Sequence, residues 1–119
     1  MTTPSGKSPN VYRLHISQSA FEVTLAAVHN ISLRNKRHEA LSAVLHEAIT
    51  AYSTIPRKVL DDLSALHPVR GDIPIIAIVT SDLQPGFDRI RSELKSLLGP
   101  NCGTREAVIA CCLLVAPAI

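Results

Sequence analysis

The sequence predicts a mostly α-helical domain in which one chain supplies two copies of a strand–helix–helix unit. A strand-like segment followed by two helical segments occurs twice, at residues 11–53 and 74–116, and a helical linker at 54–73 joins the copies. One strand and two helices are too few to bury a core. We therefore expect the copies to pack on each other as a pseudo-dimer, so that residues 11–119 form one domain.

The spacing between matching residues supports the duplication. Aligning Ile16 with Val79, near the ends of the two strand-like segments, gives a separation of 79 − 16 = 63 residues. Aligning Glu39 with Glu106, in the second helix of each copy, gives 106 − 39 = 67 residues. On this alignment, the second copy contains a helix or loop about four residues longer than that of the first.

Composition predicts one compact domain with an aliphatic core. The chain has 119 residues, 46% of them hydrophobic, but only two Tyr, two Phe and no Trp, which favours closely packed helices. Three cysteines, two of them adjacent as Cys111 and Cys112, do not suit a disulfide framework, so we expect packing residues in a reducing cytoplasm. The longest apolar run, 107–119, is too short to span a membrane.

Charge is distributed unevenly along the chain. The net charge is +2, but residues 1–58 carry seven Lys and Arg against three Glu, whereas residues 59–119 carry five against seven acidic residues. A polyanion would therefore be held mainly by the first copy and its flanks. The alternative is an ordinary solvated surface. Residues 1–10 contain Pro, Ser and Gly without an apolar stretch, so we expect a flexible linker and no secretory leader there.

Alternation of apolar and polar residues predicts the first strand at residues 12–17. One face, with Tyr12, Leu14 and Ile16, is expected to pack on the core. The opposite face is basic and polar and carries Arg13, His15 and Ser17.

The helices of the first copy follow from helical spacing. Ser17 fits as the cap of a helix whose apolar residues include Phe21, Leu25 and Val28. The pattern breaks at 29–35, where Asn30 and Asn35 favour a turn, and a second helix is predicted at 36–53. A short linking helix is predicted to begin after Pro56 and to end near His67, with inward residues Val59, Leu60, Leu63 and Leu66.

The second copy repeats this order. Its strand is predicted at 75–80, and its first helix at 81–98, where Ser81 and Gln84 resemble a capping box. An apolar stripe along that helix consists of Leu83, Phe87, Ile90, Leu94 and Leu97. The last helix begins near 103–105 and is apolar on all sides from 107 to 115, which predicts a position at the centre of the packed pair.

The second helices open with KRHEAL at 36–41 and GTREAV at 103–108. With the strand–helix–helix order, these segments resemble the ribbon-helix-helix family of DNA-binding proteins over most of 11–53 and 74–116. The resemblance implies two strands paired as an antiparallel ribbon that enters the major groove of double-stranded DNA. It also implies that the second helices direct their amino ends at phosphates. Here one chain supplies both halves as a monomer.

The resemblance assigns base reading to the outward side chains of the ribbon. In the first copy these are Arg13 and His15, with Ser17 near the edge; Arg13 is suited to a forked contact with guanine. In the second copy, Ile76, Ile78 and Thr80 would face the groove if Val79 faces inward. Isoleucine contacts a thymine methyl group but forms no hydrogen bond with a base. We therefore expect an asymmetric site.

Phosphate binding is assigned to the amino ends of the second helices, where free N–H groups and the helix dipole favour an anion. In the first copy this position is held by Asn35, Lys36 and Arg37, and in the second by Gly103, Thr104 and Arg105. Two further phosphate contacts are expected from Lys7 and Arg34. The alternative for each helix end is ordinary capping and surface charge.

More narrowly, the sequence resembles the overdrive-binding group of proteins of tumour-inducing plasmids. This resemblance implies a bacterial cytoplasmic accessory factor of T-DNA or conjugation-like transfer, with a relaxase or other DNA-transfer proteins as partners. Two alternatives stay open: a transcriptional repressor of the same fold, and a protein-interaction module. We expect no enzyme, because the five His are scattered and no HExxH, CxxC or Gly-rich phosphate loop occurs. No cofactor, metal or membrane partner is expected.

Overall fold

The computed structural model describes residues 9–116, which form two strands and five helices. In chain order these are β1 (Asn10–Ile16), α1 (Gln18–Asn35), α2 (Leu41–Ala51), α3 (Arg57–Ala65), β2 (Ile73–Val79), α4 (Gln84–Leu98) and α5 (Thr104–Val115). The predicted class, mostly α-helical with one two-stranded antiparallel sheet, is confirmed. None of the helices described has the length and apolar character needed to cross a bilayer.

The two strands pair along their whole length. The ladder is antiparallel and runs from Asn10 opposite Val79 to Ile16 opposite Ile73. The predicted inward face is confirmed, because Ile16, Ala77 and Val79 are fully buried. Each strand begins two residues earlier than predicted and ends one residue earlier, so Ser17 and Thr80 lie just beyond the ladder.

Helix α5 forms the centre of the core, as its composition predicted. Every residue from Ala107 to Val115 is buried, and the helix packs against α1, α2, α3, α4 and β1. An apolar helix that is surrounded by other elements buries all its faces, so the hydrophobic effect stabilises this central position of α5. The buried thiols of Cys111 and Cys112 are part of this packing, and burial raises the pKa of Cys111 to about 12.

The predicted boundary between the first two helices was wrong. Helix α1 continues through 29–35, because Ile31 is buried and the Asn30 side chain donates to the Val115 carbonyl at 2.8 Å. It ends where Lys36 adopts a left-handed conformation with φ of 56°. The second helix starts at Leu41 rather than at residue 36. Leu25, predicted on the apolar face of this helix, is exposed, because α1 packs on the core through Ala20, Thr24, Ala27 and Ile31.

The predicted capping box of the second copy was also wrong. Helix α4 starts three residues later than predicted, after a turn in which the backbone N–H groups of Leu83 and Gln84 donate to the Thr80 carbonyl. Ser81 therefore caps nothing. The Gln84 side chain instead donates to the Tyr12 hydroxyl at 3.0 Å and links β1 to α4. Leu97, the last residue of the predicted apolar stripe, is exposed.

Strand starts, first-helix ends and second-helix starts recur at one interval along the chain, whereas the first helices start 84 − 18 = 66 residues apart. The strands begin at Asn10 and Ile73, and α1 and α4 end at Asn35 and Leu98. The next helices, α2 and α5, begin at Leu41 and Thr104. Each pair differs by 63 residues (73 − 10, 98 − 35, 104 − 41). The alignment of Glu39 with Glu106 was wrong, because Glu39 precedes α2 whereas Glu106 lies inside the first turn of α5.

Gly71 allows the segment before β2 to pass against the end of β1. A Cβ atom on Gly71 would lie 2.5 Å from the Ile16 carbonyl oxygen and from the Ser17 Cα, both backbone atoms. We expect Gly71→Ala to lower the free energy of unfolding by about 1–3 kcal/mol, as measured by urea denaturation.

Gly103→Ala provides the matched control for this substitution. Its added Cβ would meet nothing closer than Glu106 Oε1 at 3.9 Å. The loss of stability in this variant should stay below about 1 kcal/mol, the scale of a helix-cap change. Equal stabilities of the two variants would contradict the close approach at Gly71.

Candidate nucleic-acid interface

The outward face of the ribbon consists of three cross-strand pairs. The register places His15 opposite Pro74, Arg13 opposite Ile76 and Val11 opposite Ile78, and all six residues are exposed. Side chains directly opposite each other on one face lie about 5 Å apart at Cβ. Arg13 therefore stands beside an isoleucine, and the face combines one arginine and one histidine with four apolar residues.

The structure brings four of the six predicted base readers together on this face: Arg13, His15, Ile76 and Ile78. Ser17 lies beyond β1, and its hydroxyl oxygen accepts from the backbone N–H of Ala20 as the cap of α1. Thr80 follows β2 and is exposed at the edge. Sequence reasoning missed Val11 and Pro74, although extending the two-residue alternation by one step in each strand would have found them.

The start of α5 lies at the end of β1. Arg105 Nε donates to the backbone carbonyl of His15 at 2.8 Å, which ties the first turn of α5 to the ribbon. The Gly103 N–H donates to the Glu106 carboxylate at 2.8 Å, and the Thr104 hydroxyl accepts from Arg91 at 3.0 Å. The three residues predicted for phosphate binding here do lie at a helix start, but internal partners already engage each of them.

The start of α2 lies at the opposite end of the ribbon, beside the end of β2. A groove of about 370 Å³ joins the two, and its lining includes Ile78 and Thr80 from the β2 side and Arg37, Ser42 and His46 from the α2 side. The cap residue of this helix, Ala40, has no side chain able to accept from the first turn. The two ends of the ribbon are thus flanked by helix starts of different chemistry.

The predicted phosphate residues of the first copy are not at the start of α2. Asn35 is the last residue of α1, and Lys36 and Arg37 lie in the loop between the helices. They are near a helix carboxyl end, where the dipole does not favour an anion. Lys36 and Arg37 keep exposed side chains, and Arg37 lines the groove, so a phosphate contact in this loop would come from side-chain charge alone. Lys7 lies outside the described residues.

Carboxylates neutralise several cations around this loop. Glu39 accepts from Asn35 at 2.8 Å and from Arg37 at 3.0 Å, and Arg34 pairs with Glu47 at 3.3 Å. The hydrogen bond from Asn35, followed by that from Arg37, holds the pKa of Glu39 below its ordinary value. An incoming phosphate would therefore have to compete with a carboxylate for Arg37.

Two further arginines near the ribbon were missed by the sequence reasoning. Arg70 forms an isolated bridge with Ile16 and is exposed at the end of β1. Arg91 packs over the Phe87 ring at 5.4 Å and donates to Thr104 at the start of α5. No local pattern marks either residue, because their positions depend on how α4 and the segment before β2 approach the ribbon.

An antiparallel ribbon with an exposed arginine on its outward face, cations on its flanks and a helix start at each end forms a surface that can contact both bases and phosphates of a duplex. Comparison with known proteins adds no precedent for this surface: no family model, curated protein or solved structure matches the chain.

The contacts of Glu39 predict how its titration depends on its partners. Its pKa is lowered in the folded protein, so its contribution to stability is present above the unfolded pKa and is lost as the pH falls through the folded pKa. We expect Asn35→Ala and Arg37→Ala each to raise this pKa, because the first removes a hydrogen bond to the carboxylate and the second removes both a hydrogen bond and a positive charge. Titration of the Glu39 carboxyl carbon by ¹³C NMR measures this pKa. An unchanged midpoint in both variants would contradict the proposed role of Asn35 and Arg37 in lowering it.

Proposed function

We propose that this chain is a double-stranded DNA-binding domain that inserts the β1–β2 ribbon into the major groove. The proposal includes a fused pair of ribbon-helix-helix units, β1–α1–α2 and β2–α4–α5, which act as a pseudo-dimer joined by α3. The observation that carries it is the exposed outward face of the antiparallel ribbon, with Arg13 near its centre and a helix start at each end.

The constant interval of 63 residues supports the fused arrangement. Strand starts, first-helix ends and second-helix starts all recur at this interval, and the two strands pair antiparallel, as two halves related by an approximate two-fold axis would. A helix start then falls at each end of the ribbon. Ribbon-helix-helix dimers place their two halves in this way, and the fusion supplies both from one chain.

The dimensions and chemistry of the ribbon support base reading. A major groove about 12 Å wide admits a two-stranded ribbon and exposes base edges with distinct donors, acceptors and methyl groups. Arg13 is exposed on the outward face, with the fork geometry that matches guanine O6 and N7. His15 lies one step along the same strand and has both donor and acceptor capacity.

Phosphate contacts are assigned to the flanks of the ribbon. At the α5 end the cations are Arg70, Arg91 and Arg105, and at the α2 end they are Arg34, Lys36 and Arg37. Backbone N–H groups of the first turn of α2 add donors, since Ala40 provides no side-chain cap. Such contacts fix the register of a protein on DNA without reading sequence.

We assign the domain to an accessory role in DNA transfer, as the resemblance to overdrive-binding proteins implies, with a relaxase-containing complex as the partner. A repressor of the same fold is the second candidate in this class. Preferential binding to an overdrive sequence over the promoter of its own gene would favour the transfer role, and the reverse preference would favour the repressor.

A salt titration tests DNA binding directly. If about four phosphates are neutralised, the logarithm of affinity for a 30-bp duplex should fall against the logarithm of salt concentration with a slope of about −3 to −4. Fluorescence anisotropy of a labelled duplex measures this slope. Absence of binding at low salt, or a slope near zero, would refute the proposal.

Substitutions on the ribbon and on its flank should have different effects. The two duplexes compared are one selected from a random pool and its scrambled form. The double variant Arg13→Ala with His15→Ala should lower the ratio of the two affinities by about tenfold. The double variant Lys36→Ala with Arg37→Ala should weaken binding to both duplexes alike. Arg57→Ala is the matched control, because Arg57 is also exposed but lies on α3 and pairs with Asp61. Loss of preference in the Arg57 variant, or its retention in the ribbon variant, would contradict the assignment.

A further inference from the structure

The ribbon exposes more apolar surface than hydrogen-bonded base reading requires. Val11 is 44% exposed, Ile76 is 53% exposed and Ile78 is 39% exposed, and Pro74 beside them is also exposed. These four residues and the pair Arg13 and His15 make up the entire outward face of the ladder. Apolar groups therefore dominate the surface that faces away from the core.

This exposure is unfavourable for an isolated domain. Large apolar side chains on a strand whose outer edge is unpaired promote sheet-to-sheet aggregation, and proteins usually place charges there. The inward face of the same ladder already supplies the core with Ile16, Ala77 and Val79, so the exposed outward side chains are not needed to fill it. A binding partner that covers these side chains would remove this cost.

We infer that the apolar side chains of the ribbon recognise the C5 methyl groups of pyrimidines in the major groove. The inference rests on the proposed DNA binding and names the feature of the duplex that the ribbon selects. The methyl group of thymine is the apolar feature that base edges present in this groove. Isoleucine and valine bury such a methyl group without leaving a polar atom unpaired.

The charges around the face favour DNA over a protein surface as the occupant. Arg13 stands directly opposite Ile76, so a cation and an apolar side chain act in the same cross-strand row. Arg105 and Arg70 lie at one end of the ribbon and Arg37 at the other. An apolar protein partner would bury Arg13 and Arg70 without pairing them, whereas a duplex offers phosphates on both sides of its methyl-bearing groove.

The register sets the spacing between the contacts. Ile76 and Ile78 are two residues apart on one strand, which separates their side chains by about 7 Å. This distance equals about two base-pair steps of about 3.4 Å. A ribbon lying along the groove would therefore place the two isoleucines on methyl groups about two base pairs apart, with Arg13 beside them.

Four duplexes of equal length and charge isolate the methyl group. Alternating A·T is compared with alternating A·U, and alternating G·C with its 5-methylcytosine form. Within each pair, only the C5 methyl group changes, while hydrogen-bonding edges and phosphates are kept. We expect the wild-type protein to bind the methylated member of each pair more tightly, by about fourfold for each methyl group that is fully buried.

Variants locate the contact on the ribbon. Ile76→Ala with Ile78→Ala should bring the affinity ratio within each pair close to one and leave the salt slope unchanged, because phosphate contacts are kept. Ile76→Val with Ile78→Val keeps residues of high β-propensity at both positions, and it should lower the affinity ratio by less than the double-alanine variant does. Leu97→Ala is the matched control, since Leu97 is also 53% exposed but lies on α4, and it should retain the wild-type ratio. Circular dichroism verifies that each variant is folded.

The outcomes separate the inference from the proposed function. Binding of all four duplexes with equal affinity within each pair would overturn methyl recognition, leave DNA binding standing and assign the apolar face to a protein partner. No binding to any duplex would overturn the proposed function itself. A methyl preference that persists in the folded double-alanine variant would overturn the assignment to Ile76 and Ile78. The wild-type comparison stands even if that variant does not fold.

Discussion

Pairing of β1 with β2 is the constraint on which the remaining structure depends. A two-stranded ladder is marginally stable by itself, so it must be held by packing on one face. Ile16 and Val79, at the carboxyl ends of the two strands, supply that packing because both are fully buried. Their antiparallel register sends the chain into α1 at one end of the ribbon and towards α4 at the other. The positions of both second helices follow from this divergence, since each must return to cover the inward face.

The two ends of the ribbon share a geometry but differ in chemistry. At the α5 end, Arg105 is hydrogen-bonded to the His15 carbonyl and the Glu106 carboxylate accepts from the Gly103 N–H, so both side chains at this helix start have internal partners. At the α2 end, Ala40 caps nothing and the loop before it carries exposed cations partly neutralised by Glu39. Arg105 at the first end is held against the ribbon, whereas Lys36 and Arg37 at the second end lie in an exposed loop. Two identical half-sites on a duplex would therefore not be bound identically.

Sequence patterns predicted the strands and the central helix because both signals are strong and local. Alternation in β1 and the uninterrupted apolar run of α5 each allow one burial pattern. The α1–α2 boundary was predicted wrongly because Asn30 and Asn35 favour a turn in sequence, whereas both lie inside α1 in the structure. The last turns of α1 are held by the hydrogen bond from the Asn30 side chain to the Val115 carbonyl, two residues that are far apart in sequence. Arg70 and Arg91 reach the candidate site through tertiary packing, which no spacing rule encodes.

Charge pairing limits how much of the proposed affinity phosphates can supply. The net charge is only +2, and Arg34 and Arg37 already pair with Glu47 and Glu39. Surface ion pairs of this kind are weak, so a phosphate can displace the carboxylate. The gain in binding free energy is then only the difference between two similar ion pairs. Counterion release therefore contributes less than the number of cations suggests. The proposed complex would then depend to an unusual degree on what the outward face of the ribbon contacts inside the groove, which is where its apolar residues lie.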